Sequence, residues 1–194
     1  ESKKVAQINI RIPGSHNVLN ALGAISLAYN MGVSFEQIES SIKMFHGVGR
    51  RFQLLHKIPN LEVIDDYGHH PTEIAATLNT AKATRKDRRL VVIFEPHRYS
   101  RTKECWNEFL HCFNDADDLY LAPIYPASEK EMIGINTNRL VEDINHLHPE
   151  LANKMNNISD IDEVIQKYKG QNVTVMTLGA GTIGKAIREW VKVQ

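Results

Sequence analysis

The feature that most restricts this fold is "RRLVVIFEP", an unbroken apolar run from Leu90 to Phe94 with charge on both sides. A strand with one wet face would carry a polar residue at every second position. This one does not, so both its faces are buried, as in a parallel sheet covered by helices. The run is far too short to span a bilayer. The surrounding segments alternate in type. "LEVIDDY" reads as a strand and "TEIAATLNTAKAT" as a helix. "CWNEFLHCF" reads as an amphipathic helix, "DDLYLAP" as a third strand, and "TNRLVEDINHL" and "DIDEVIQKY" as helices. "NVTVMTLGAG" is a last strand and "IGKAIREWVKV" a last helix. Strands alternating with helices predict an α/β fold, a mostly parallel sheet with helices on both faces.

The segment before this pattern differs. Residues Ile8 to Ile12 alternate as a strand does, and Pro13-Gly14 ends them. Ser15 is placed to cap a helix that Gly32 stops, and Ser34 to cap another, with Gln37 completing a capping box. "HGVGRRFQLL" follows, a loop whose two glycines present Arg50 and Arg51. The junction is expected near His56 to Pro59, giving residues 1–56 and 57–194. The length of 194 residues suits one domain plus part of another. The chain opens without Met and without an apolar leader, and it reads as part of something longer.

Lys plus Arg equals Asp plus Glu, 23 each, so no overall charge points to nucleic acid. Local clusters must carry any anion-binding argument. Cys105 and Cys112 are the only cysteines. Seven apart on a helix they cannot bridge, which reads as free thiols in a reducing, cytoplasmic setting.

In parallel sheets ligands bind beyond the carboxyl ends of the strands. "DDYGHH", "EPHRYSRT", "APIYPASE" and "GAGTIG" each follow a strand, so all four should crowd one edge. In "PHRYSRT", His97, Arg98 and Arg101 could grip a carboxylate or phosphate. In "GHH", adjacent His69 and His70 point oppositely on an extended chain and rarely share a metal. No third ligand stands at zinc-like spacing, so no metal site is expected. One histidine is given a polar role and the other a structural one near the helix start. "GAGTIG" fits the dinucleotide fingerprint, but no acidic residue follows at the ribose-binding distance. It reads as a tight strand-to-helix turn that could also face a substrate phosphate. His16, Asn17 and Asn20 lie on one helical turn, where carboxamides could read an adenine edge or simply cap the helix.

Taken in order, "PGSHNVLNALGA", "GVGRRFQ", "DDYGHHPTEI", "EPHRYSRT" and "GAGTIGK" resemble the C-terminal part of the Mur ligases. The resemblance covers nearly the whole chain. It implies a Rossmann-like C-terminal ligase domain, preceded by the last helical segment of a central ATPase domain. It implies ATP-dependent amide formation through an acyl phosphate, in peptidoglycan precursor synthesis. Its partners would be UDP-N-acetylmuramate, L-alanine, and the N-terminal and central domains in cis, with neither nucleic acid nor membrane insertion. ATP is the implied cosubstrate. Mg2+ would be held mainly by upstream residues, since no G-x-x-x-x-G-K-[ST] loop occurs here. This segment alone is therefore expected to be inactive. Carried over, the resemblance sets Tyr67, His69, His97, Arg98 and Arg101 around alanine and the acyl group, with His69, Arg98 and Arg101 as the catalytic set. It sets His16, Asn17, Asn20, Arg51 and Asp66 around ATP. Asp65 and Asp66 stay open between lining the ATP cleft and capping a turn. The alternatives are a free-standing nucleotide-binding or regulatory module, and the related tripeptide-recycling ligase.

Overall fold

The computed structural model describes residues 7–85 and 87–194. By its contacts the chain divides into two units, Glu1–Gly49 and Arg50–Gln194. In the first, α1 (Ser15–Asn30) and α2 (Phe35–Met44) are joined through Gly32, whose φ of 86° only glycine adopts without strain. Tyr29 stacks on Phe35 at 4.6 Å across that turn. The Ser34–Gln37 capping box forms. Ser15 does not cap α1: Gly14, at φ 105°, turns the chain one residue earlier, so Ser15 becomes the first helical residue. The strand expected at Ile8 to Ile12 does not form: among the described residues these five join no strand ladder, and a strand exists only by its ladder.

The second unit holds β1 (Gln53–Ile58), β2 (Leu61–Asp66), α3 (Pro71–Thr84), β3 (Arg89–Phe94), α4 (Tyr99–Glu104), α5 (Trp106–Phe109) and β4 (Asp118–Leu121). It continues through α6 (Thr137–Leu147), β5 (Ala152–Lys154), α7 (Ile161–Gln166), β6 (Val173–Leu178) and α8 (Ile183–Val191). The sheet order is β1-β2-β6-β3-β4-β5, parallel except for the β1–β2 hairpin. The junction expected after residue 56 falls inside β1. That strand pairs with β2 through the Pro59-Asn60 turn and is integral to this sheet.

Strand periodicity builds two cores. Leu90, Val92 and Phe94 join Ile74, Leu78, Phe109, Phe113, Leu140 and Ile144 on the face covered by α3 to α6. Val91 and Ile93 join Val164, Ile165, Ile183, Ile187 and Trp190 on the face covered by α7 and α8. Leu90 to Phe94 have no exposed surface, so the opening apolar run is the two-faced central strand it was read to be. The single helix expected from Cys105 to Phe113 is broken instead. α4 and α5 meet at Cys105, and the chain after Phe109 loosens into turns. Both cysteines are free.

Phe94 lies 5.4 Å from both Phe109 and Phe113, at the centre of the first core. Phe94→Ala should cost about 3–5 kcal/mol in urea unfolding of the second unit. A loss near zero would mean the ring is not packed as described.

Candidate functional site

The ladder register places the site. Asp66 and Phe94 both pair with Leu178, and Phe94 also pairs with Leu121. Four strands therefore end at one level, and the loops after them leave the sheet together. The Gly179 amide bonds the Asp66 carbonyl, the Glu95 amide the Leu178 carbonyl, and the Ala122 amide the Phe94 carbonyl. The four motif loops do share one edge.

The two aspartates that end β2 point to opposite faces and do different work. Asp65 is fully buried. It accepts from Arg50 Nε at 3.1 Å, Arg188 Nη2 at 3.0 Å and Thr177 Oγ1 at 3.0 Å. Arg50 also donates to the Gly179 carbonyl, and its guanidinium carbon sits 4.9 Å above the Tyr67 ring. Asp66 accepts from the Phe52 and Gly68 amides, both at 2.7 Å. It thereby fixes the Arg50–Phe52 turn, where Arg50 and Phe52 hold positive φ, and the turn into "GHH". Burial pushes the Asp66 carboxyl up, while the Gly68 and Phe52 amides and the Arg51 charge oppose the rise.

Beyond Gly68 the histidines divide as their alternation requires. His70 is the N-cap of α3: its Nδ1 accepts from the Thr72 amide at 3.4 Å, and Pro71 occupies the first helical position. Glu73 completes the box by accepting from the His69 and His70 amides at 3.2 and 3.4 Å. His69 instead joins a run of rings, 5.4 Å from Tyr67 and 6.0 Å from His97, and His97 stacks on Tyr125 at 5.4 Å.

His97 is held by Arg101, whose Nη1 lies 3.1 Å from Nδ1. A guanidinium only donates, so Nδ1 accepts and the neutral ring carries its proton on Nε2. Burial first, then the charges of Arg101, His69 and Arg98, hold His97 below the ordinary imidazole range. Arg98 caps α4 at φ 71°, with its amide on the Tyr125 carbonyl and its carbonyl on the Thr102 hydroxyl. That strained backbone exposes its guanidinium at the same edge. Glu129 secures the loop after β4 by accepting from the Ser100 amide and hydroxyl at 2.9 and 2.6 Å.

The glycine run has another use. Gly179 to Lys185 matches G-x-x-x-x-G-K, but Ala186 stands where a phosphate loop has Ser or Thr. The anion at the start of α8 is already present in the protein. Glu95 accepts from the Ile183 amide at 2.9 Å and the Thr182 hydroxyl at 2.6 Å. A Cβ on Gly181 would lie 2.5 Å from Glu95 Oε2, and one on Gly184 would lie 2.3 Å from Arg50 Nε. These glycines admit side chains from neighbouring loops. Lys185 is exposed and faces Glu189 at 3.7 Å.

Of the residues expected around ATP, Arg51 and Asp66 lie in the second unit. Arg51 is half exposed, its Nη1 3.9 Å from Glu73 and its guanidinium carbon 5.9 Å from the Tyr67 ring. Asp66 is buried, with one amide on each of its oxygens, and it holds the turns at Phe52 and Gly68. His16, Asn17 and Asn20 lie in the first two turns of α1 in the other unit, where Asn17 Nδ2 donates to the Pro13 carbonyl at 2.7 Å. Among the described residues no three His, Cys, Asp or Glu side chains gather into one cluster. Sequence reasoning placed Arg50 on the glycine loop without a partner and gave no role to Glu73, Glu95 and Arg188. Arg50, Glu73 and Glu95 stood inside quoted motifs, while Arg188 lies in the last helix, where a charge has no local mark.

Comparison with known proteins agrees with this architecture. Residues 50–181 match the family model described as the Mur ligase, glutamate ligase domain. The UDP-N-acetylmuramate–L-alanine ligase of Trichlorobacter lovleyi is 42% identical over 97% of the chain, and that of Geotalea daltonii 44% over 99%. The chain spans 41% and 42% of these curated relatives. The crystal structure of the Thermotoga maritima UDP-N-acetylmuramate-alanine ligase superposes with a TM-score of 0.81 at 29% identity. That match covers 98% of this chain and 40% of the other. A fold with β2, β3, β4 and β6 ending at one level, a matched span beginning at Arg50, and relatives of one kind lead to one assignment: the chain belongs to the Mur ligase family and carries its glutamate ligase domain.

Proposed function

We propose that the chain is the part of an ATP-dependent ligase that closes over L-alanine as it is joined to an activated UDP-N-acetylmuramate carboxylate. The observation that carries this reading is the convergence of His69, His97, Arg98 and Arg101 at one sheet edge. The relatives named as alanine-adding ligases support it. Amide formation from an acyl phosphate needs a neutral amine, an immobilised amino-acid carboxylate, and exclusion of water. Two guanidiniums within one turn suit the carboxylate. His97, whose pKa is held down by burial and then by the Arg101 charge, supplies an Nε2–H donor in its neutral form. His69 is the group to take a proton from the amine. Holding both reactants in this way is worth up to ~7–11 kcal/mol of barrier.

ATP belongs to the same proposal. Arg51, half exposed beside Tyr67, is the second unit's candidate for its phosphates, and His16, Asn17 and Asn20 are the first unit's candidates for its base. Asp66 acts there by holding the Arg51 turn. A free-standing module is disfavoured by the first unit itself. Leu19, Leu22, Leu27, Met31, Met44 and Val48 are all exposed, as expected of helices that pack against further chain in a larger protein. Central-domain residues in cis would cover them. A cytoplasmic setting fits the substrates, and no helix among the described residues is long and apolar enough to cross a membrane.

Three outcomes follow from these roles. The 194-residue chain alone should release no phosphate from ATP in the presence of alanine. Alanine-dependent release would move the phosphate chemistry into this segment. In the full-length ligase, Arg101→Ala should raise KM for alanine by roughly 10- to 100-fold, the scale of a charge-assisted hydrogen bond of ~1.5–3 kcal/mol, and leave KM for ATP nearly unchanged. Equal rises would assign Arg101 to the phosphates. His69→Ala should lower turnover by roughly a hundredfold or more. His70→Ala, which removes a helix cap, should act on the melting temperature by about 1 kcal/mol of stability instead. A well-folded but inactive His70→Ala enzyme would reverse the two assignments.

A further inference from the structure

His69 Nδ1 lies 3.1 Å from the Tyr67 carbonyl oxygen and 3.5 Å from Glu73 Oε2. Both neighbours can only accept while the carboxylate is ionised, so Nδ1 has to carry the proton. In the neutral ring Nε2 is then the lone-pair nitrogen, on the opposite edge. Among the described residues no side chain or backbone group hydrogen-bonds it. The facing histidine is set the other way: Arg101 donates to His97 Nδ1, which puts the His97 proton on Nε2. Two imidazoles 6.0 Å apart thus present one acceptor and one donor.

The geometry points to Glu73 as a positioning residue for the proposed ligation: with the Tyr67 carbonyl it keeps the His69 proton on Nδ1 and leaves Nε2 free to accept a proton from the amine. The proposal rests on His69 serving that reaction. The step balances simply. One proton leaves the alanine ammonium for Nε2, giving a neutral amine and an imidazolium whose Nδ1–H is already held. The imidazolium later returns the proton to water. A base oriented by a third group through its other nitrogen is a general solution to this problem.

The surroundings bear this out from each packed element. On α3, Glu73 presents one oxygen to His69 and the other to Arg51, 3.9 Å away. From the end of β2 come the Tyr67 ring and carbonyl. From the loop after β3 come His97 and, behind it, Arg101. Burial works to raise the Glu73 carboxyl, but the His69 and His70 amides and the charges of His69 and Arg51 together hold it below the usual range. It is therefore ionised wherever a histidine base would operate. Glu73 also caps α3 through the His69 and His70 amides, a duty a glutamine oxygen can take over. That separates its structural work from its charge.

The test uses two variants and two measurements. In this chain, labelled with 15N-histidine, long-range proton–nitrogen NMR reads the tautomer of each neutral imidazole. Wild type should show His69 as Nδ1–H and His97 as Nε2–H, and Glu73→Ala should lose much of the Nδ1–H population at His69. In the full-length ligase, Glu73→Gln should keep the wild-type melting temperature and KM for ATP. Its turnover with alanine should fall several-fold. The acid limb of its pH profile should move to lower pH, because removing a carboxylate from beside an imidazole removes a charge that favours the protonated ring. A purely structural Glu73 would be rescued by glutamine at every pH, and that result overturns the proposal. An unchanged His69 tautomer in Glu73→Ala overturns the positioning role whatever reaction the parent catalyses. A changed tautomer with an unmoved acid limb overturns its link to ligation.

Discussion

A carboxylate with no exposed surface sits under the site, and the surrounding loops are arranged around it. Asp65 cannot stay ionised inside the sheet unless its charge is matched and its oxygens are bonded. Arg50, Arg188 and Thr177 do both. The consequences run outward. Arg50 must reach back into the sheet, so the chain before β1 turns sharply, with Arg50 at φ 60°. Its guanidinium needs room, so position 184 carries no side chain. The upper face of the same guanidinium supports the Tyr67 ring, whose amide in turn bonds the Arg50 carbonyl at 2.7 Å. One buried charge therefore ties the entry to β1, the end of β2, the turn after β6 and the first turn of α8.

The neighbouring aspartate shows why the pair is adjacent. On a strand, consecutive side chains face opposite ways. Asp65 serves the interior network, and Asp66 serves two loop amides at the strand's end. The same alternation then divides the histidines, His69 to the ring cluster and His70 to the helix cap. Four polar residues in six positions look excessive for a fold. Each has its own partner set, and together they form a rigid base under the exposed guanidiniums of Arg51 and Arg98.

Much of this was legible in the sequence because periodicity and turn chemistry are local. The two-faced run at Leu90 to Phe94, the strand before "DDY", the capping box at Ser34 and the shared edge of four loops all came from pattern alone. β1 was not legible. "QLLHKI" mixes apolar and charged residues because it is an edge strand with a register shift at Leu54/His56, so it lacks the alternation of a half-buried strand. β5 has three residues and is specified by its partner β4, which no window of sequence can report. Ile8 to Ile12 carried the pattern of a strand without a ladder to join. The ion pairs linking Asp65 to Arg50 and to Arg188 span 15 and 123 positions, distances at which charge matching leaves no sequence signal.

The glycine run shows most clearly how a motif and its context can part. By spacing alone, "GAGTIGK" serves a dinucleotide, a phosphate or a tight turn equally well. The physical need is the same each time: helix N-terminal amides want a negative charge, and the turn before them must be narrow. Here Glu95 meets that need from the neighbouring strand end, and it fills the space above Gly181 that a phosphate would occupy. The result is a stronger join between β3 and α8, made by a carboxylate that is 3% exposed. Glu95 immediately precedes Pro96 and His97, so this internal anion also anchors the loop that presents His97, Arg98 and Arg101. A feature that resembles a ligand site is thus part of the scaffold for the adjacent loop, and the arginines exposed at its edge are the groups left for the anion recognition proposed above.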